Sequence, residues 1–253
     1  MKYEWIGLVP AAGRGLRLGL PYPKELYPII SNNRYKPVSQ YIVDQIRSAN
    51  IQHIVFVINE TKHQFIGFFG SGQRFDCNFS YVVQETKELK EESTSPGLAD
   101  AINSSYHLIK SKKIVFGMAD TIIRPADTIN QAVQMFSDEI DVMLCLFPTT
   151  TPNKFGMVEI DDNNRVNKII DKPLKTSLIY MWGCILWTPK FTEHLHELVH
   201  DKGILDFAFI MNSAITAGFN FKGLKMDEGK FFDLGTYDEI IALDAQIRYE
   251  DQV

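Results

Sequence analysis

The sequence predicts an α/β fold: a mixed, mainly parallel sheet flanked by helices, with a small β-rich part in its second half. Three observations predict it. Short apolar runs alternate with stretches of helical periodicity through about the first 150 positions. A glycine-rich loop follows the first of those runs. Beyond about position 150 the pattern changes to the alternation and turn residues of β-hairpins. Strands alternating with helices read as β-α-β units, which gives the Rossmann-like class. No internal repeat, low-complexity segment or linker interrupts residues 1–253, so one domain is expected, with halves of about 1–150 and 151–253.

Taken in order, Trp5-Ile-Gly-Leu-Val reads as a buried first strand. Pro21 and Pro23 prevent a helix through the loop that follows. A polar loop, Ser31-Asn-Asn-Arg, precedes Pro37, which opens a helix over 38–49 with Val38, Tyr41, Ile42, Gln45 and Ile46 at helical spacing. Residues 53–58 form a second buried strand, 62–69 a short helix, and 79–83 a third strand ending at Gln84. The charged run 85–92 reads as a solvated loop. Ser93-Thr-Ser-Pro caps a helix over 97–109. The fourth strand, 113–118, delivers Asp120 at its carboxyl end, where open α/β sheets bind ligands. A helix over 126–136 and a strand over 140–147 follow. Residues 156–160 and 166–170 flank the turn Asp161-Asp-Asn-Asn as a hairpin. A strand over 182–187, helices over 190–199 and 206–217, a strand over 221–226 and a helix over 237–249 complete the chain.

The 253 residues are 45% apolar, ample for a core. The net charge is −5, the pI is near 5.7 and no Lys/Arg block is present, which argues against nucleic acid as a partner. An anionic substrate must then be held by locally placed cations. Cys77, Cys145 and Cys184 lie far apart with no CxxC spacing, as expected of reduced thiols in a cytoplasmic protein. The N-terminus has no signal-peptide pattern, and no apolar run is long enough to span a membrane.

The stretch from Val9 to Leu26 carries the chemistry. Ala11, Ala12, Gly13 and Gly15 have almost no side-chain bulk, so their backbone N–H groups can close on an anion. Arg17 and Lys24 set two fixed cations beside them, a combination suited to a triphosphate. A Walker loop is excluded, because no Gly-Lys precedes Ser or Thr. Gly13-x-Gly15-x-x-x-Gly19 approaches the dinucleotide fingerprint, but that motif needs a helix here and an acid about 20 residues on.

Ala-Ala-Gly-x-Gly-x-Arg-Leu followed by Pro23-Lys24 resembles the signature of the sugar-1-phosphate nucleotidylyltransferases. Further stations match in the same order. Gln84, followed by Gly97-Leu-Ala-Asp, resembles the base-recognition pair; its amide can donate to and accept from a pyrimidine edge. Gly117-Met-Ala-Asp120 stands at the family's Gly-Asp metal site. Asp171-Lys172-Pro173 stands where many members have Glu-Lys-Pro, whose acid bonds the sugar and whose lysine meets the sugar phosphate. Trp182-Gly183 matches a glycine-bearing strand against the sugar, and Asp233-Leu-Gly-Thr236 matches the motif whose Asp supplies the second metal ligand. The resemblance runs from Gly7 to about Asp238. It implies the fold of nucleotide-diphospho-sugar transferases, with a nucleotide-binding half and a sugar-phosphate-binding half. It also implies Mg²⁺ on Asp120 and Asp233, a nucleoside triphosphate with dTTP or UTP favoured, and a sugar 1-phosphate.

The chemistry is coherent on physical grounds. Both reactants are anions, so cations must offset their repulsion; Arg17 and Lys24 would stabilise charge on the triphosphate, and Lys172, as the resemblance implies, would hold the acceptor phosphate. No covalent nucleophile is needed. His196 and His200 lie at i, i+4, but no HExxH pattern accompanies them, and a solvated helix face is expected. Two other readings stay open: cytidylyl transfer to a polyol phosphate, which shares Pro10-Ala-Ala-Gly, Arg17 and Pro23-Lys24, and a non-catalytic binder of nucleotide sugars. Asp171-Lys-Pro and Asp233-Leu-Gly-Thr favour the sugar branch over the first, and the retained cations and acids favour catalysis over the second. Leu16 replaces the family's small hydroxyl residue, and Asp171 is one methylene shorter than Glu. The sequence ends at Val253 without the extra C-terminal region of some members, which speaks against acyl transfer and leaves a homo-oligomer open.

Overall fold

A computed structural model of the chain describes residues 3–15, 18–31, 34–85 and 97–250. β1 (Trp5–Pro10) leads through the glycine loop to a small antiparallel hairpin of β2 (Pro28–Ser31) and β3 (Arg34–Pro37). α1 (Val38–Ser48), β4 (His53–Ile58), α2 (His63–Phe69) and β5 (Asn78–Val83) follow. Next come α3 (Leu98–Ser104), α4 (Tyr106–Ile109), β6 (Lys113–Phe116), β7 (Thr121–Arg124), α5 (Thr128–Met135) and β8 (Val142–Pro148). β9 (Gly156–Ile160) and β10 (Val166–Asp171) form the expected hairpin, and β11 (Tyr180–Trp187), α6 (Pro189–His196) and α7 (Phe207–Thr216) succeed it. β12 (Phe221–Lys225), β13 (Lys230–Asp233) and α8 (Tyr237–Glu250) end the fold.

β6, β1, β4 and β5 lie side by side in parallel, as β-α-β crossovers require. β11 joins β6 antiparallel and also pairs antiparallel with β8 and β9, while β12 adds to β8 in parallel. The inner parallel strands β1, β4 and β6 are mostly apolar because helices cover both faces, whereas the edge strand β5 carries Asn78 and Ser80. Ile6, Leu8, Val55 and Val57 pack in one layer with α3, α6 and α7, whereas Val9, Ile54 and Phe56 pack in the other with α1, α2 and α5. A third cluster sets Ile240, Leu243 and Ile247 of α8 against Ile29 of β2 and Ile122 of β7. That cluster returns the last helix to the first half of the chain. Among the described residues no helix is long and apolar enough to cross a membrane, and the three cysteines are buried free thiols.

Some local expectations are revised. The helix expected over 97–109 is two helices, because the buried Ser105 hydroxyl donates to Ile102 O (2.7 Å) and diverts the backbone there. Within the polar Ser31-Asn-Asn-Arg, expected as a loop, Ser31 and Arg34 pair across β2 and β3; Asn32 and Asn33 lie outside the described residues. β7 and β13, four residues each, were not anticipated, since runs so short carry little periodicity. The expected cap at 93–96 and most of the charged run 85–92 also lie outside the described residues. His196 is not merely solvated: its ring stacks on Tyr106 at 3.6 Å and its Nδ1 lies 2.7 Å from Asn103 Oδ1, tying α6 to α3 and α4.

Among the described residues β10 pairs with β9 on one side, and a side chain serves it on the other. Asn212 of α7 accepts from Ile169 N (2.9 Å) and donates to Ile169 O (2.7 Å), as a neighbouring strand would. Asn212→Leu strands both backbone groups of the buried Ile169, and urea unfolding should show a loss of about 1–3 kcal/mol. An unchanged midpoint and slope would mean water replaces the amide at no cost.

Candidate active site

The glycine loop is held from β4. Ala11 N donates to Val57 O (2.7 Å), and Asn59, just past β4, donates its amide to Ala12 O (2.8 Å). Gly13 and Gly15 follow, and Gly15 adopts φ +63°, a left-handed backbone that favours glycine. Leu16 and Arg17 lie outside the described residues. The chain then reaches the short 3-10 turn Lys24–Leu26.

That turn is anchored by a buried ion pair. Lys62 Nζ lies 2.5 Å from Glu25 Oε2, with side chains 3% and 2% exposed, and Ser39 donates its hydroxyl to Glu25 O (2.7 Å). Burial pushes the Glu25 carboxyl up, and Lys62 opposes that shift. The loop after β4 therefore holds both the glycine loop, through Asn59, and the Lys24 turn, through Lys62.

Lys24 turns the other way and pairs with Asp120. Burial alone would push its ammonium down, but Asp120, and further off Glu25 and Asp233, hold it above the usual lysine range. Asp120 sits just past the carboxyl end of β6, at the entry to β7. β7 pairs with β13 so that Thr121 lies opposite Asp233, and Leu234 N donates to Asp120 O (3.1 Å). Two aspartates far apart in sequence are thus adjacent. Gly235 N donates to Glu239 Oε2 (3.1 Å) and Thr236 Oγ1 accepts from Glu239 N (3.3 Å), so the motif after Asp233 also starts α8. Lys154 completes this corner at 2.6 Å from Glu239 Oε1. Burial raises the Glu239 carboxyl, yet Lys154, Thr236 and the Gly235 N–H bring it below its ordinary value.

Asp171 and Lys172 come from the end of β10. Asp171 pairs with Gly156 of β9, and Lys172 N donates to Phe155 O (3.0 Å). Lys172 has φ +44°, left-handed for a residue that is not glycine, a conformation costing about 1 kcal/mol and often met at functional sites. The two side chains are only loosely paired at 3.8 Å and more than half exposed, which leaves both available to a ligand.

Lys24, Asp120, Asp171, Lys172, Gly183 and Asp233 all line one cleft of about 690 Å³. Ala11, Ala12, Gly13, Gly15, Gln84 and Gly97 do not line it. Gly97 faces Leu205 O at the loop before α7. Gln84 is buried at the end of β5, where its Nε2 donates to Asp100 Oδ2 (2.6 Å) of α3. Asn59, Lys62, Asp100, Lys154 and Glu239 went unassigned by sequence, since each depends on a partner distant in the chain; only Thr236-x-x-Glu239 had a readable capping pattern. Among the described residues no group of three or more His, Cys, Asp or Glu is placed to hold a metal. Asp120 and Asp233 fit a Mg²⁺ that takes few carboxylates and completes its shell with water and phosphate oxygens, and Lys24 already marks the place as one that attracts a cation.

A family model described as nucleotidyl transferase matches residues 6–250. The low-salt glycan biosynthesis nucleotidyltransferase Agl11 of Haloferax volcanii is 24% identical over 97% of this chain and 66% of its own length. The glucose-1-phosphate thymidylyltransferase of Streptomyces griseus is 26% identical over 83% of this chain and 57% of its own. The chain thus spans less than two thirds of the length of these curated relatives. A Bacillus anthracis protein provisionally named a glucose-1-phosphate thymidylyltransferase, solved in complex with a sucrose, matches with a TM-score of 0.82 at 24% identity. That match covers 96% of this chain and 95% of the other, and it shows a shared fold.

Removing one member of the buried pair leaves the other charge unpartnered. Lys62→Met should lower stability by about 3–5 kcal/mol in urea unfolding. Lys62→Met combined with Glu25→Leu should recover most of that loss; equal destabilisation of single and double variants would show that packing rather than charge is responsible.

Proposed function

The chain belongs to the nucleotidyl transferase family of sugar-1-phosphate nucleotidylyltransferases, and we propose that it transfers a nucleotidyl group from a nucleoside triphosphate to a sugar 1-phosphate, giving an NDP-sugar and pyrophosphate. The observation that carries this reading is the gathering of Lys24, Asp120 and Asp233 with Asp171 and Lys172 in one cleft. Two anions must meet there, and two lysines, Lys24 and Lys172, line it.

In this reading an oxygen of the acceptor phosphate attacks the α-phosphorus as pyrophosphate departs. Lys172 holds the acceptor phosphate, with Asp171 accepting a sugar hydroxyl. Lys24 stabilises charge on the triphosphate, and Arg17, outside the described residues, is assigned the same task together with the backbone of Ala11, Ala12, Gly13 and Gly15. Asp120 and Asp233 would hold Mg²⁺, which when bound supplies charge neutralisation on the α-phosphate. Positioning and electrostatics suffice for such a transfer.

Gln84 supports a base with an N3–H. With Nε2 donating to Asp100, Oε1 has no partner among the described residues and can accept, and the second amide hydrogen can meet a carbonyl oxygen. Uracil and thymine offer that N3–H beside a carbonyl, whereas cytosine offers an acceptor at N3. We therefore favour UTP or dTTP.

Pyrophosphate release, measured with Mg²⁺ across dTTP, UTP, CTP, GTP and ATP and a panel of sugar 1-phosphates, tests the reading. Release requiring both substrates, with dTTP or UTP, is the expected result; release only with CTP and a polyol phosphate would replace it. Asp120→Asn should slow turnover by about 10²–10³-fold with the fold intact by circular dichroism. Lys172→Ala should raise KM for the sugar phosphate far more than for the nucleotide, and equal effects on both would remove it from the acceptor site.

A further inference from the structure

We propose that Trp182 is the platform of the acceptor subsite, and that it selects a cyclic hexose phosphate over a linear polyol phosphate. This rests on the reading above and deepens it.

Asp171, Gly156 and Trp182 form a row across three adjoining strands. Asp171 of β10 pairs with Gly156 of β9, and Met181 of β11 pairs with Met157, which sets Trp182 beside Gly156. Side chains opposite one another on neighbouring strands share a face. Gly156 has no side chain, and the indole lies over it: a Cβ there would come within 2.3 Å of Trp182 Nε1. The ring thus takes the room that any other residue at 156 would fill, and it puts an aromatic side chain on the face that carries Asp171, one strand beyond β9, in the cleft that Lys172 also lines.

Two features fix that ring. The register of β11 on β8 shifts between Trp182 and Cys184, and Gly183 at the shift has Phe147 and Phe231 packed where a Cβ would stand, at 2.6 and 2.8 Å. Phe207, at the start of α7, meets the indole edge to face with centroids 5.9 Å apart. Trp182 is half-buried and lines the cleft, whereas Trp187 is fully buried and Trp5 packs on Phe136, neither of them at the cleft. Gly156 and Phe207 therefore hold Trp182 as an apolar group in the lining of the cleft that Asp171 and Lys172 also line.

That arrangement has a chemical complement. A pyranose ring presents C–H bonds on one face, hydroxyls around its rim and, in a sugar 1-phosphate, an anion at one end. Such a molecule lays its C–H face on the indole while its rim meets Asp171 and its phosphate meets Lys172. A linear polyol phosphate has no flat face, and it would lose conformational freedom on lying against a plate.

The chain has three tryptophans, and only Trp182 lies at the cleft, so intrinsic fluorescence reports on this subsite directly. The chain, loaded with an α,β-methylene analogue of dTTP or UTP, is titrated with glucose, galactose, mannose and N-acetylglucosamine 1-phosphates and with erythritol 4-phosphate. At least one hexose 1-phosphate should change the emission of the native chain and of Trp5→Phe, and Trp182→Phe should abolish the change. By calorimetry Trp182→Leu should weaken that hexose phosphate about tenfold, with Trp182→Phe retaining most of the affinity and nucleotide binding unchanged in both. The proposal is overturned if Trp182→Leu binds the sugar phosphate as the native chain does, if erythritol 4-phosphate gives the same emission change, or if no hexose 1-phosphate binds. Binding with the Trp182 signal but without pyrophosphate release would sink the catalytic reading and leave the subsite standing. Release with an indifferent Trp182 would do the reverse.

Discussion

Asp120 and Asp233 are like charges that the pairing of β7 with β13 brings to one cleft, where each disfavours the charge of the other. Lys24 answers that repulsion by pairing with Asp120 while Asp233 adds to the field around it. The ammonium can do so only because its turn is anchored elsewhere, by Glu25 on Lys62. Lys62 belongs to the loop after β4, and Asn59 of the same loop holds Ala12. One short connection between β4 and α2 therefore registers the glycine loop against the carboxylates. The alternation of charge from Lys62 through Glu25 and Lys24 to Asp120 ties together the loops at the carboxyl ends of the parallel strands.

The cleft draws on both styles of sheet. The parallel strands β1, β4 and β6 all end on the same side, which sets the glycine loop and Asp120 there by topology alone. The antiparallel strands β9, β10 and β11 bring Asp171, Gly156 and Trp182 into line by register. Asp233 arrives by neither route. It comes on the two-stranded ribbon of β7 and β13, outside the main sheet, and the packing of α8 against β2 and β7 holds that ribbon in place.

How much of this was legible in sequence follows the range of the interactions involved. Apolar runs such as 53–58 and 113–118 announced buried strands because both their faces are covered, and the hairpin around Asp161–Asn164 announced itself by its turn residues. Asp120, Asp171, Lys172 and Asp233 were found by motif, and the structure brings them to one cleft. The ion pair of Glu25 and Lys62 was not legible, since a buried lysine looks like any other until its partner is known. Trp182 was noted as part of a strand, yet its place over Gly156 depends on a register that no local pattern encodes. The Ser105 break passed unseen because serine is tolerated in helices, and its bond to Ile102 O leaves no mark in the sequence pattern.

The clasp of Asn212 on Ile169 also bears on how the molecule behaves in a crowd of its own kind. An open strand margin offers unpaired N–H and C=O groups to any passing chain, and such margins seed fibrils and swapped dimers. At Ile169 the amide of Asn212 already occupies both groups, so the side of β10 away from β9 has nothing to offer there. A helix side chain thereby gives this margin of the sheet its colloidal good manners as well as its fixed position.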